Sequence, residues 1–181
     1  MKSTVFFVVA AVVVAVTPAL ADWVYEGRWG SVGFGNGQFN LPEDVALAAN
    51  GTVYVADREN YRVQYFTPAG SFLGKWGYRG SGDGQFSDPS GVSYGPGDVV
   101  YVADRKNHRV QYFTPSGSFL GVHGSEGTGN GQFQGPYGIA FAPNGARAYV
   151  ADYNNHRVQY FRESPPAVIP SSVGRIKALF K

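Results

Sequence analysis

"VYVADRENYRVQYFTPAGSFLGKWG" fills Val53–Gly77, and "VYVADRKNHRVQYFTPSGSFLGVHG" fills Val100–Gly124, so the chain states nearly the same text twice, 47 residues apart. A third version, "AYVADYNNHRVQYF", spans Ala148–Phe161. Upstream of each copy stands a second shared block: "GNGQF" at Gly35–Phe39, "GDGQF" at Gly82–Phe86 and "GNGQF" at Gly129–Phe133. A proline follows each block at Pro42, Pro89 and Pro136. A fixed period of this length marks a protein built from stacked copies of one supersecondary unit.

Each copy reads as four short strands. "DVALA" (Asp44–Ala48) is apolar and bounded by turn residues. Asn50-Gly51 predicts a tight hairpin with positive φ at both central positions. "TVYVA" (Thr52–Ala56) mixes β-branched and aromatic residues, as strands do. "RVQYF" (Arg62–Phe66) is a third strand, and Thr67-Pro68-Ala69-Gly70 presets a β-turn into a fourth, "SFLGKWG" (Ser71–Gly77). Neither side of Val53–Ala56 is polar, which suits a sheet sandwiched between neighbouring sheets. Four antiparallel strands per repeat of this length predict an all-β propeller blade. The predicted blades cover residues 31–77, 78–124 and 125–163.

The two ends of the repeat region are unequal. "YEGRWG" (Tyr25–Gly30) matches "FLGKWG" (Phe72–Gly77) and "FLGVHG" (Phe119–Gly124), so residues 24–30 read as a spare outer strand. The last copy runs from "RVQYF" into "RESPP" and has no fourth strand. Propellers remove sheet edges by completing the final blade with a strand from the start of the chain.

The pattern Pro-x-(Gly/Asp)-(Val/Ile)-Ala, then Tyr-Val-Ala-Asp-x-x-Asn-x-Arg-Val-Gln-x-Phe, resembles the NHL repeat, three times over residues 27–161. The resemblance implies a β-propeller, usually of six blades. It also implies varied roles: binding scaffolds, RNA-binding domains, extracellular sensor domains and an amidating lyase. Three blades are half of such a ring. The sequence reading therefore expects two chains per ring, with an open half-ring or another propeller half as alternatives.

Three sets of residues are candidates for a site. Asp57, Asp104 and Asp152, with Arg62, Arg109 and Arg157 and with Asn60, Asn107 and Asn155, recur in every copy. They read as a structural clamp in which the carboxylate takes turn N–H groups and pairs with arginine, and the asparagine caps the same turn. Arg58, Tyr61, Arg105, Lys106, His108, Tyr153 and His156 belong to the turns and predict a basic, aromatic rim suited to a protein, peptide or glycan ligand. Glu43 and Asp44 are the acids of the first strands, where the other copies have Ser90-Gly91 and Tyr137-Gly138. They are the candidate holders of a hard cation such as calcium. His123 replaces Trp76, and the histidines do not converge as a zinc site requires. No catalytic set emerges. The reading is a binding or scaffold module, with a metal-dependent lyase- or lactonase-like enzyme as one alternative and RNA binding through the rim as another.

The formal charge of +2 argues against bulk nucleic acid as partner. There is no cysteine, so no disulfide forms. Lys2, the apolar run Val5–Val16 and Ala19-Leu20-Ala21 read as a signal peptide over 1–21, cleaved near Ala21, which predicts a secreted or periplasmic protein. "SPPAVIPSS" (Ser164–Ser172) reads as a proline-rich linker. "VGRIKALFK" (Val173–Lys181) reads as a basic amphipathic tail that could touch a membrane.

Overall fold

A computed structural model describes residues 24–162. The signal, linker and tail assignments lie outside these residues. Thirteen strands appear in chain order. After the short β1 (Ser31–Val32) and β2 (Gln38–Phe39), the first blade is β3 (Pro42–Leu47), β4 (Val53–Asp57), β5 (Arg62–Phe66) and β6 (Phe72–Trp76). The second is β7 (Pro89–Gly95), β8 (Val99–Asp104), β9 (Arg109–Phe113) and β10 (Phe119–His123). Among the described residues the third has three strands: β11 (Pro136–Phe141), β12 (Ala148–Asp152) and β13 (Arg157–Phe161). Every blade is an antiparallel meander. The first strands β3, β7 and β11 lie side by side along the inner edge. The blades form an open fan rather than a closed ring.

Alternation along each strand sends one set of side chains to each neighbouring blade, so the core lies between blades, not within one. Tyr54, Ala56, Val63 and Trp76 of the first blade meet Phe86, Val92, Val100, Val102 and Phe113 of the second. The second seam is built alike from Val110 and Tyr101 against Phe133, Ile139, Val150 and Phe161. Aromatic rings bind the first seam further, with Tyr54 stacked 5.9 Å from Tyr94 and Trp76 5.6 Å from Phe113.

One local expectation is corrected. Only Gly51 of Asn50-Gly51 has positive φ. Asn50 keeps its side chain for an Asx bond from the Thr52 N–H (3.0 Å), and the turn closes by Gly51 N–H to Ala48 C=O (2.9 Å). In the single chain, residues 24–30 carry no strand pairing. Trp29 nevertheless rests on the first blade, 6.2 Å from the Phe66 ring and beside Gly70. Trp76 rests on Gly117 and Phe113 of the second blade in the same way.

His123 occupies the corresponding place on the third blade, its ring 4.5 Å from Phe161 and 6.1 Å from Phe133. Desolvation against these rings lowers its pKa below the ordinary imidazole value. The unfolded chain binds that proton more readily, so stability falls as pH drops below about 6.5, the unfolded value. His123→Trp, which copies Trp76, is expected to flatten the dependence of the thermal midpoint on pH between about 7 and 5. A variant whose midpoint falls over that range as steeply as the parent would show that another group is responsible.

Candidate functional site: the inner loop end of the blades

Strand β4 ends at Asp57 and turns through a 3₁₀ segment, Arg58–Asn60, before β5 begins at Arg62. The same turn follows β8 (Arg105–Asn107) and β12 (Tyr153–Asn155). Each turn ends in a left-handed residue: Tyr61, His108 and His156, with φ of 54°, 55° and 52°. The turns place these loops at the end of the blades where β3, β7 and β11 start, as shown by the pairing of Pro42, Pro89 and Pro136 with Asp57, Asp104 and Asp152.

The three aspartates are fully buried. Asp57 accepts from Arg62 Nε (2.7 Å), Asn60 Nδ2 (2.9 Å) and Gln64 Nε2 (3.0 Å) on Oδ2, and from the Asn40 N–H (2.7 Å) on Oδ1. Asp104 and Asp152 repeat this arrangement with Arg109, Asn107, Gln111 and the Ser87 N–H, and with Arg157, Asn155, Gln159 and the Gln134 N–H. The arginines go on to the "GNGQF" loops: Arg62 donates to the carbonyls of Phe34, Gly35 and Gln38 at 2.8–2.9 Å. Burial alone would raise the Asp152 pKa, but the bonds from Asn155, Gln134, Arg157 and Gln159 outweigh it and hold it below the usual carboxylate value.

These contacts differ from the sequence reading in two respects. The carboxylate caps the segment before the first strand rather than its own turn, whose N–H groups receive no side-chain cap. Asn60, Asn107 and Asn155 likewise reach the preceding loop, donating to the carbonyls of Gly33, Gly80 and Gly127. Gln64, Gln111 and Gln159 were not singled out. Each closes the loop from the other side, taking the N–H of Gly37, Gly84 or Gly131 and donating to the carbonyl of Gln38, Gln85 or Gln132. Their signal was a glutamine kept in every "RVQYF" between apolar neighbours.

Nearer the axis the three copies stop agreeing. Position 43 recurs as Ser90 and Tyr137, position 58 as Arg105 and Tyr153, and position 41 as Asp88 and Gly135. These departures meet in one network. Asp88, almost fully buried, accepts from Arg58 Nε (2.9 Å) and lies 2.8 Å from Arg105 Nη2. Arg58 Nε also stands 3.1 Å from Glu43 Oε2. The Tyr137 hydroxyl donates to Glu43 across the second blade, and this bond is the main reason its pKa is raised. The Arg105 guanidinium lies 5.8 Å over the Tyr137 ring, and Tyr153 is 6.0 Å from Tyr137. Asp88 went unnoticed in the sequence because no other copy has an acid there.

Of the proposed rim, Arg58 and Arg105 therefore point into this network, while Lys106, Tyr153 and His156 are exposed. Tyr61 faces away, under Arg79 (5.4 Å), and His108 accepts from the Gly135 N–H on Nδ1 (3.1 Å). Glu43 and Asp44 have protein partners: Asp44 takes the N–H groups of Val45 (2.8 Å) and Val92 (2.9 Å). Among the described residues no cluster of three or more His, Cys, Asp or Glu is placed to hold a metal ion.

No curated protein matches the chain in sequence. Among solved structures, similar folds occur in Kuenenia stuttgartiensis hydrazine synthase, with 16% identity, TM-score 0.49, and coverage of 68% of this chain and 36% of that one. A catalytically inactive virginiamycin B lyase from Staphylococcus aureus with quinupristin gives 15% identity, TM-score 0.48, and coverage of 67% and 41%. The chain spans less than half the length of either. The NHL repeat profile matches residues 39–66, 86–113 and 133–161, the segments that hold the three aspartate clamps, and the chain belongs to the NHL-repeat proteins.

Proposed function

We propose that the chain is an exported binding module whose ligand, a polypeptide segment, contacts the inner loop end of the blades. The observation that carries this reading is where the repeat breaks. Clamp residues keep one identity in all three copies, whereas positions 43, 58 and 41 change between copies, and Glu43, Tyr137, Arg58, Arg105 and Asp88 from these positions join a single network. Identical copies make a scaffold; a surface that differs from blade to blade presents a non-repeating pattern for recognition. Arg58 and Arg105 are already matched by Glu43 and Asp88, so the network fixes the surface, and Lys106 and Tyr153 offer the exposed contacts. Aromatic and basic side chains at such a position are the residue types that dominate interface energetics. The carboxylates that a cation would need are engaged internally, which supports binding over metal-dependent chemistry.

The test is selection of a peptide from a displayed library on the purified chain, followed by titration of that peptide into Lys106→Glu and Tyr153→Ala. Each variant is expected to bind ~10-fold or more weakly at an unchanged thermal midpoint. Undiminished binding by both, or a calcium-dependent rise in the midpoint of the parent, would overturn the reading.

A further inference from the structure

The two open faces of the fan carry the two halves of its own internal seams. Tyr54 and Val63 are 2% and 0% exposed where the first blade meets the second. Their counterparts on the third blade, Tyr149 and Val158, are 36% and 64% exposed, and Tyr160 beside them is exposed too. On the opposite face, Val45 and Leu47 of β3 are exposed, although their counterparts Val92 and Tyr94 pack into the first seam. One end therefore presents the donor side of a seam and the other the acceptor side.

Glycine spacing points to the occupant. Gly74 and Gly121 lie under tyrosine rings of the adjacent strand: a Cβ there would fall 2.4 Å from the Tyr65 hydroxyl oxygen or 2.2 Å from that of Tyr112. Gly27 holds the same place in residues 24–30, yet nothing lies within 4 Å of it. Gly91 is pressed against the third blade, its Cβ position 2.2 Å from the Tyr137 carbonyl, while Gly138, its counterpart, has open space. Trp29 is 42% exposed where Trp76, held between Tyr54, Tyr65 and Phe113, is 9% exposed. Strand β13 pairs with β12 alone, leaving its other edge free among the described residues.

We propose that a second copy of this chain covers both faces, head to tail. The Tyr149, Val158 and Tyr160 face of each copy meets the Val45 and Leu47 face of the other. Residues 25–29 of each copy pair with the free edge of the other's β13. By the register of β5 with β6, in which Val63 faces Trp76 and Tyr65 faces Gly74, Trp29 then sits opposite Val158 and Gly27 opposite Tyr160. An unrelated partner would have no reason to match a vacant glycine to an exposed tyrosine at this register. The pair has a two-fold axis and two equivalent seams, and its six blades fall within the four to eight of closed propellers.

Leu47→Arg and Val158→Arg change exposed side chains, so both variants fold as single chains. Each is expected to weaken association of the purified chain by ~30-fold or more in sedimentation analysis. Mixed in equal amounts, they are expected to recover a two-chain species, because one of its two seams is unaltered. Gly27→Val is expected to dissociate the pair with an unchanged circular dichroism spectrum. Failure of the mixture to recover any two-chain species, or full association of Gly27→Val, overturns the proposal.

Discussion

Asp104→Ala is expected to cost about 3–5 kcal/mol and to leave the chain largely unfolded at moderate temperature. The carboxylate is fully buried, and Arg109, Asn107 and Gln111 all donate to one of its oxygens. Removing one partner of a buried ion pair leaves the other charge without compensation in a low-dielectric setting. Here the loss extends further, since the Ser87 N–H loses its acceptor on the other oxygen. A domain has only about 5–15 kcal/mol in total, so one clamp holds a large fraction of it. Asp104→Asn keeps the shape and one acceptor oxygen but not the charge, and should fall between parent and alanine variant. Urea titration followed by circular dichroism gives the ranking. An alanine variant within about 1 kcal/mol of the parent would mean that the clamp is a surface decoration.

The second large effect is expected at Gly91. A methyl group there would lie 2.2 Å from the Tyr137 carbonyl oxygen and 3.2 Å from the Gly138 Cα, both backbone atoms that no rotamer change can move. Gly91→Ala must push β7 away from β11 and stretch the contact that Ser90 makes by donating toward the Tyr137 carbonyl (3.2 Å). A cost at or above the upper end of the ~1–3 kcal/mol usual for overpacking follows. Gly138→Ala meets no atom within 4 Å in the single chain. The difference in thermal midpoint between the two variants, measured at a concentration where the chain is dissociated, isolates the close approach from general alanine effects. Equal midpoints would show that the inner strands are not packed as described.

How far the sequence carried the fold can be argued from single residues. Asp57, Asp104 and Asp152 stood out because a packed carboxylate needs fixed donors, and those donors recur at fixed spacing with it. Strand order followed from turn chemistry, with Thr67-Pro68-Ala69-Gly70 setting the link between β5 and β6. The identity of the carboxylate's N–H donor was not legible. The Asn40 N–H is remote in the chain from Asp57, and its approach depends on how the "GNGQF" loop folds over the blade. Asp88 was hidden for the opposite reason. It belongs to no pattern, and its partners Arg58 and Arg105 come from two different blades, so only the fan's geometry brings them together. The pairing of Glu43 with Tyr137 is of the same kind, since the two side chains meet across the intervening blade.

The same distinction bears on function. Features that repeat were readable, and the aspartates among them tie each blade to the loop that precedes it. Features that break the repeat form the network at the axial end, and they are what a ligand would meet.

The mass of the purified chain in solution, by light scattering across a micromolar concentration series, tests most directly whether the open faces are halves of one seam. Twice the mass of one chain as purified, 19.5 kDa with residues 1–21 retained and correspondingly less once they are cleaved, reached and held as concentration rises, is the predicted result. A single-chain mass throughout, or a mass that keeps climbing with concentration as in an unclosed filament, would contradict it.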